Sequence, residues 1–324
     1  MDSRTLTCKR TPLLVVTDLR TGRSRGYGGG ETTCCAEVVA WRPDSGAVLV
    51  LQDQDGVSSP IDGPPVRYVL VDLASGAVTS VDDKLRWDGN ASAWAAAFAP
   101  DGRGFIAARP AGKGTELRGY DATGRRLWTR DLDGGRRLAG SGAYTSDSST
   151  VALLTVDECP FQCDHDQRDA RRWRVSYIDA ATGADREGPA LSELTGAAVR
   201  ALGWHGDALV VVQYESEDDV TASTTDDTDA FGTRHVRVLA LRPGGAVDVV
   251  LEPPGDVSSI DIAQDLVRNG RFDGRVPAPA ILPARWSAVA QEALFVLCLL
   301  TPVAVAVVIL VRVLAARRRR ITAR

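Results

Sequence analysis

The sequence has 324 residues, 44% hydrophobic and 25% charged, with 38 Lys and Arg against 42 Asp and Glu for a formal net charge of −4. That is enough apolar content for a buried core, and the acidic balance excludes the basic face that a nucleic-acid binder needs. The charge is unevenly spread: seven arginines against the single acid Glu292 follow Ile281, leaving an acidic body and a basic C-terminus. Lysine occurs only at Lys9, Lys84 and Lys113, so arginine clusters read as a compositional habit rather than as sites.

Residues 1–10 are polar and hold no apolar signal-peptide core. The run Leu13-Leu-Val-Val16 follows, then Asp18-Leu-Arg-Thr-Gly22. This second stretch recurs as Asp72-Leu-Ala-Ser-Gly76, Asp121-Ala-Thr-Gly124 and Asp179-Ala-Ala-Thr-Gly183, with a variant at Arg242-Pro-Gly-Gly245. A different turn alternates with it: Trp41-Arg-Pro-Asp-Ser-Gly46, Phe98-Ala-Pro-Asp-Gly102, Tyr144-Thr-Ser-Asp-Ser148, Trp204-His-Gly-Asp207 and, weakly, Ile262-Ala-Gln-Asp265. Asp caps a tight turn with its side-chain oxygen, and Gly tolerates positive φ, so both families read as hairpin turns between short apolar strands.

Calling the strands of one unit a to d, the first turn family joins a to b and the second joins c to d. Four units are expected. Their strands fall at 36–41, 47–52, 67–73 and 77–81; at 94–98, 104–108, 116–120 and 126–130; at 138–144, 150–156, 172–178 and a weak 186–191; and at 199–204, 208–214, 235–241 and 246–251. Residues 11–25 supply only c and d, and 257–267 supply a and a poor b. Joined, the two ends make one further blade, which closes a ring and removes exposed sheet edges. The fold class is therefore all-β, a propeller of four-stranded blades, with five the expected count. A larger propeller whose first part precedes this start remains open.

Trp41-Arg-Pro-Asp-Ser and Phe98-Ala-Pro-Asp-Gly resemble the aromatic-x-Pro-Asp-Gly turn of WD40-like, TolB-type propeller repeats. The resemblance covers about residues 11–267. It implies a propeller and says nearly nothing of function, because propellers host many. The Gly-His and Trp-Asp dipeptides of strict WD40 repeats are missing.

The propeller is expected over 1–267 and a Pro- and Arg-rich spacer over 268–285, where Val276-Pro-Ala-Pro reads as extended chain. A membrane-span region is expected over 286–316 and a basic tail over 317–324. Residues 293–311 carry no charge. As helix they would reach roughly 28 Å, about one bilayer core. Trp286 stands where an interfacial aromatic belongs, and Arg317-Arg-Arg-Arg320 follows the run. The lipid bilayer is the expected partner of 293–311, and a single-pass cell-membrane location follows. The positive-inside rule favours an extracytoplasmic propeller; the lack of a visible signal peptide favours a cytoplasmic one.

Three long loops, all joining b to c, share one face and gather acids. Asp53, Asp55, Asp164, Asp166, Asp218 and Asp219 are the binding candidates there, facing a protein or cationic ligand; solvated loops are the competing reading. Cys159-Pro-Phe-Gln-Cys163-Asp-His165 leaves three readings open: a disulfide, free thiols, or Cys159, Cys163 and His165 as part of a zinc site that lacks a visible fourth ligand. Cys8 and Cys34 are a second disulfide candidate pair. Nucleophile-elbow, Walker and His-Glu-x-x-His signatures are absent, so no cofactor and no catalytic residue is expected. The sequence reads as a membrane-anchored, non-catalytic binding, sensing or scaffolding module. The alternative is a propeller-type metal-dependent hydrolase or lactonase with an acidic channel site.

Overall fold

The structure is a computed structural model; it describes residues 14–18, 22–28, 36–53, 65–86, 95–111, 114–133, 135–159, 163–216, 233–253, 257 and 260–272. All of these fall in one compact unit, Met1–Phe272. Four antiparallel sheets follow one another along the chain, each adding its strands in sequence order. Blade I is Ala36–Trp41, Ala47–Asp53, Pro65–Asp72 and Val78–Arg86. Blade II is Ala96–Phe98, Gly104–Ala111, Gly114–Asp121 and Arg126–Leu132. Blade III is Arg136–Leu138, Thr150–Asp157, Arg172–Asp179 and Asp185–Arg186, with Leu194–Thr195 also pairing its third strand. Blade IV is Ala198–His205, Ala208–Ser216, Thr233–Leu241 and Val247–Leu251. A two-stranded hairpin, Leu14–Thr17 with Ser24–Tyr27, precedes them.

The middle strands read as unbroken apolar runs because both of their faces are covered. In strand b of blade I, Leu49 and Leu51 pack with Phe98 and Phe105 of blade II. The alternate residues Val48 and Val50 pack with Tyr27, Leu14 and Val16 of the hairpin. In strand b of blade IV, Leu209 and Val211 join the core shared with blades II and III. Val210 and Val212 instead meet Ile260, Ile262, Val267 and Phe272. Each such side chain contributes about 1.5–3 kcal/mol on burial, so the stack of blades is the main source of stability. Strand a is buried throughout in blade II and nearly so in blade IV, whereas in blade I it exposes Val38 and Trp41; the d strands of blades II and IV are largely exposed.

Both turn families use their aspartates as caps. Asp44 Oδ1 accepts from Gly46 N at 2.8 Å, Asp101 Oδ1 from Arg103 N at 2.9 Å and Asp147 Oδ1 from Ser149 N at 3.0 Å. In the second family Asp121 Oδ1 accepts from Thr123 N at 3.0 Å and from Thr123 Oγ1 at 2.6 Å. The residue closing the first turn is left-handed even when it is serine: Ser45 has φ 56° and Ser148 φ 60°.

The hydroxyls of Thr123 and Thr145 head the contacts that hold Asp121 and Asp147 down to about 2 from an ordinary 3.8. A carboxyl with a lowered folded value stabilises the fold above its unfolded value and loses that contribution as pH falls through the folded one. The urea midpoint should therefore be level above pH 3.8 and drop toward pH 2. Asp121→Asn combined with Asp147→Asn should flatten that drop. An unchanged slope would show that these turns do not carry it.

Two expectations change. Residues 138–144 do not form one strand: the ladder stops at Leu138, and Tyr144 makes a single bridge to Val151. Between them Gly142 N donates to Ala201 O at 3.3 Å and Ala201 N to Ala139 O at 2.6 Å, so this edge also bonds to blade IV, while Ala139 N and Ala143 O keep their bonds to Ala152 of its own sheet. The poor b strand expected within 257–267 is also not a strand. Gln264–Arg268 is a helical turn, α2. Val267 fills the face of blade IV beside Gly203, and Gln264 Nε2 donates to Ser141 O at 2.6 Å. Among the described residues, no a–b pair completes a fifth blade.

No described helix is long and apolar enough to cross a membrane; residues 293–311 lie outside the described set.

Candidate functional site

The first turn family does more than connect strands. The aromatic residue that opens it in blades II, III and IV (Phe98, Tyr144 and Trp204) lines one cleft at the ends of the inner strands. Pro100 and Ser146 come from the same turns, and Gln264 and Arg268 from α2 close the far side. Turn is held to turn, since Ser148 Oγ accepts from Asp101 N at 3.1 Å. The C-terminal end of α2 is pinned as well: His205 Nδ1 meets Arg268 O at 3.1 Å, and Phe272 stands edge-on to the His205 ring at 6.3 Å.

The cleft collects polar groups against an apolar wall. Trp204 is 7% exposed, and its Nε1 is buried from solvent with no hydrogen-bond partner among the described residues. A buried N–H without a partner costs about 1–3 kcal/mol. Tyr144, also 7% exposed, is kept a neutral phenol: burial first, and the charge of Asp101 second, push its hydroxyl well above the usual tyrosine range. Gln264 has its amide nitrogen committed to Ser141 O, which leaves Oε1 as the free end. The Arg268 guanidinium is exposed and makes no ion pair or hydrogen bond with the described residues.

The residues singled out in the sequence are placed differently. Asp164 caps helix α1 (His165–Asp169): its Oδ1 accepts from Gln167 N at 2.9 Å, and Gln167 Oε1 accepts from Asp164 N at 3.1 Å. That reciprocal pair is a capping box. Asp166 is exposed in the first turn of the same helix. Asp53 ends strand b of blade I; Asp55, Asp218, Asp219, Cys8 and Cys34 lie outside the described residues.

Cys159 and Cys163 are joined by a disulfide with Cα atoms 5.7 Å apart. The zinc reading of Cys159, Cys163 and His165 is thereby corrected, because disulfide sulfurs are not thiolate ligands. The guanidinium of Arg171, 2% exposed, holds the loop: Nε donates to Cys159 O at 3.1 Å, Nη2 to Cys163 Sγ at 3.1 Å and Nη1 to Ala197 O at 3.0 Å. Among the described residues no group of three or more His, Cys, Asp or Glu is arranged to hold a metal ion.

Sequence reading thus pointed to the long-loop face, whereas the described cleft lies on the face of the short a–b turns. The signal for it was in the repeat itself. The aromatic at the same turn position converges in blades II, III and IV, whereas Trp41 of blade I is 44% exposed and outside the cleft.

No protein-family model matches the sequence, and comparison with curated proteins finds no relative. Among solved structures, TolB from Acinetobacter baumannii aligns at 13% identity and TM-score 0.43, covering 74% of this chain and 48% of that one. An oligogalacturonate lyase in complex with manganese aligns at 16% identity and TM-score 0.44, covering 76% of this chain and 61% of that one. The Pyrococcus horikoshii acylaminoacyl peptidase aligns at 13% identity and TM-score 0.40, covering 64% and 31%. This chain spans about half the length of TolB and less than two thirds of the other two. The fold assignment rests on the sheet topology described above.

Proposed function

We propose that this chain is a non-catalytic binding module, a propeller carried at a membrane by the apolar run 293–311 on a Pro-rich stalk. The observation that supports it is the cleft where the Phe98, Tyr144 and Trp204 turns meet α2, with the exposed Arg268 guanidinium making no ion pair with the described residues. Loops and turns on a rigid scaffold are where binding groups sit most often. A ring of five blades goes with this reading. The N-terminal hairpin packs on one face of blade I, and Ile260–Phe272 on the opposite end of the stack, against blade IV. A blade shared between the two chain ends would cover both.

The competing reading is a hydrolase or lactonase whose acidic loops hold a metal ion. One experiment separates them. The full chain, purified in detergent, is analysed for bound metal and screened by thermal shift against small carboxylates, amines, sugars, esters and lactones. A binding module raises its midpoint with at least one class and consumes none. Stoichiometric metal with turnover of an ester or lactone, or no shift with any class, would overturn the proposal. The anchor is tested apart from this: alkaline carbonate washing of membranes should leave the chain in the pellet, and its release would refute the span.

A further inference from the structure

We propose that Cys159 and Cys163 form a thiol–disulfide exchange site, in which a small thiol attacks Cys159 and Cys163 leaves as a thiolate beside Arg171. The inference is independent of the cleft and of the binding-module reading.

The placement of Arg171 carries the argument. Its guanidinium, on a residue 2% exposed, reaches Cys163 Sγ through Nη2 at 3.1 Å. A disulfide sulfur is a weak, neutral acceptor, so the buried cation gains little from it while the bond is intact. Cleavage puts a negative charge on that same atom, and the contact becomes charge-assisted. A donor fixed in advance where charge develops favours the leaving thiolate, and a stabilised thiolate leaves faster. The guanidinium is already fixed, because Nε donates to Cys159 O at 3.1 Å and Nη1 to Ala197 O at 3.0 Å. The acids beside the pair have other partners: Glu158 Oε1 accepts from Arg172 Nη2 at 2.6 Å, and Asp164 caps α1.

The two cysteines differ in access. Cys163 is buried at 5% exposure, whereas Cys159 is partly exposed, with the neutral Gln167 Oε1 3.5 Å from its Sγ. Exchange therefore has a direction. A thiolate R–S⁻ bonds to Cys159 Sγ, the disulfide breaks, and its electron pair leaves on Cys163. A second thiolate bonds to the sulfur of R, which releases R–S–S–R and the Cys159 thiolate. Two electrons pass from two small thiols to the protein disulfide. Of the two thiol protons, one ends on Cys159 and one in solvent, while Cys163 stays ionised against Arg171.

A structural staple is the competing reading. The bond spans a sequence separation of only 4, so it removes less chain entropy from the unfolded state than a long-range link does. The segment that follows is already fastened by the capping box of α1 and by Arg171. Glu158 and Cys159 also hold left-handed φ of 62° and 49°, a conformation that costs non-glycine residues energy and clusters at functional loops.

The test uses the full chain in detergent with glutathione as the thiol, and mass spectrometry follows the peptide that carries Cys159 and Cys163. After acid quenching midway through reduction, the glutathione adduct should lie on Cys159 in at least tenfold excess over Cys163. The pair should be reduced at least tenfold faster in the folded chain than in urea, since unfolding removes Arg171 from Cys163. Arg171→Gln should slow reduction of the folded chain at least tenfold, and Arg171→Lys, which keeps the charge, should restore most of the rate. A staple behaves in the opposite way: folding protects it, and losing Arg171 loosens the loop and speeds reduction. An adduct shared equally or found on Cys163, reduction slower in the folded chain than in urea, or an Arg171→Gln variant reduced as fast as the parent would each overturn the proposal. If Arg171→Gln does not fold, the adduct position and the comparison with urea, both made on the parent chain, still decide it.

Discussion

Gly142→Ala is expected to cost at least about 3 kcal/mol, a large part of the stability of an ordinary domain. Gly142 lies where the edge of blade III bonds across to blade IV. A Cβ added there would sit 2.1 Å from Gly203 N and 2.2 Å from Leu202 C. Both are backbone atoms of a fully buried strand, so neither can swing aside as a side-chain end would. The same change would break the bond from Gly142 N to Ala201 O and unseat Ser141, whose carbonyl holds Gln264 of α2. The comparison is Gly206→Ala: Gly206 closes a hairpin turn at φ +60° with nothing within 4 Å of a new Cβ. That variant bears only the left-handed strain, about 1–2 kcal/mol. Urea unfolding followed by circular dichroism distinguishes them. If Gly142→Ala is no more costly than Gly206→Ala, the two blades do not meet as closely as described.

Trp173→Ala should cost about 3–5 kcal/mol, the range for removing a large buried aromatic. Trp173 lies on strand c of blade III, is 1% exposed, and belongs to the core that joins blades II, III and IV. Its Nε1 donates to Gly196 O at 2.8 Å, and the Arg137 guanidinium stands 5.3 Å from the ring centre. Trp173→Phe keeps most of the packing and leaves the Gly196 carbonyl unpaired, about 1–3 kcal/mol by itself. The order of unfolding midpoints should be parent, Trp173→Phe, Trp173→Ala. Leu127→Ala, at a position 52% exposed, serves as the reference. A Trp173→Ala midpoint no lower than that of Leu127→Ala would contradict the shared core.

Much of the fold was legible because its determinants are local. Asp121-Ala-Thr-Gly124 closes a hairpin with atoms supplied within the turn itself, and Asp147 does the same for its neighbours. Runs such as Val48-Leu-Val-Leu51 announce a strand covered on both faces, whatever covers it. The expected b strand within 257–267 failed for a non-local reason. Val267 is β-branched, and the run leading to it is strand-like, but the vacancy beside Gly203 on blade IV takes Val267 from a helical turn. The capping role of Asp164 was written locally as Asp-x-x-Gln.

The sequence by itself determined the blades, the alternation of two hairpin turns, their order along the chain, and the charge and apolar run of the C-terminus. Each follows from residues within a few positions of one another. Only the tertiary structure decided that the edge of blade III also bonds to blade IV, that α2 stands where a strand was expected, and that Phe98, Tyr144, Trp204 and Arg268 share one cleft. Those residues are far apart in the chain and share no local signal. They meet because blades II, III and IV pack against one another, and where strand ends meet is set by how whole blades pack.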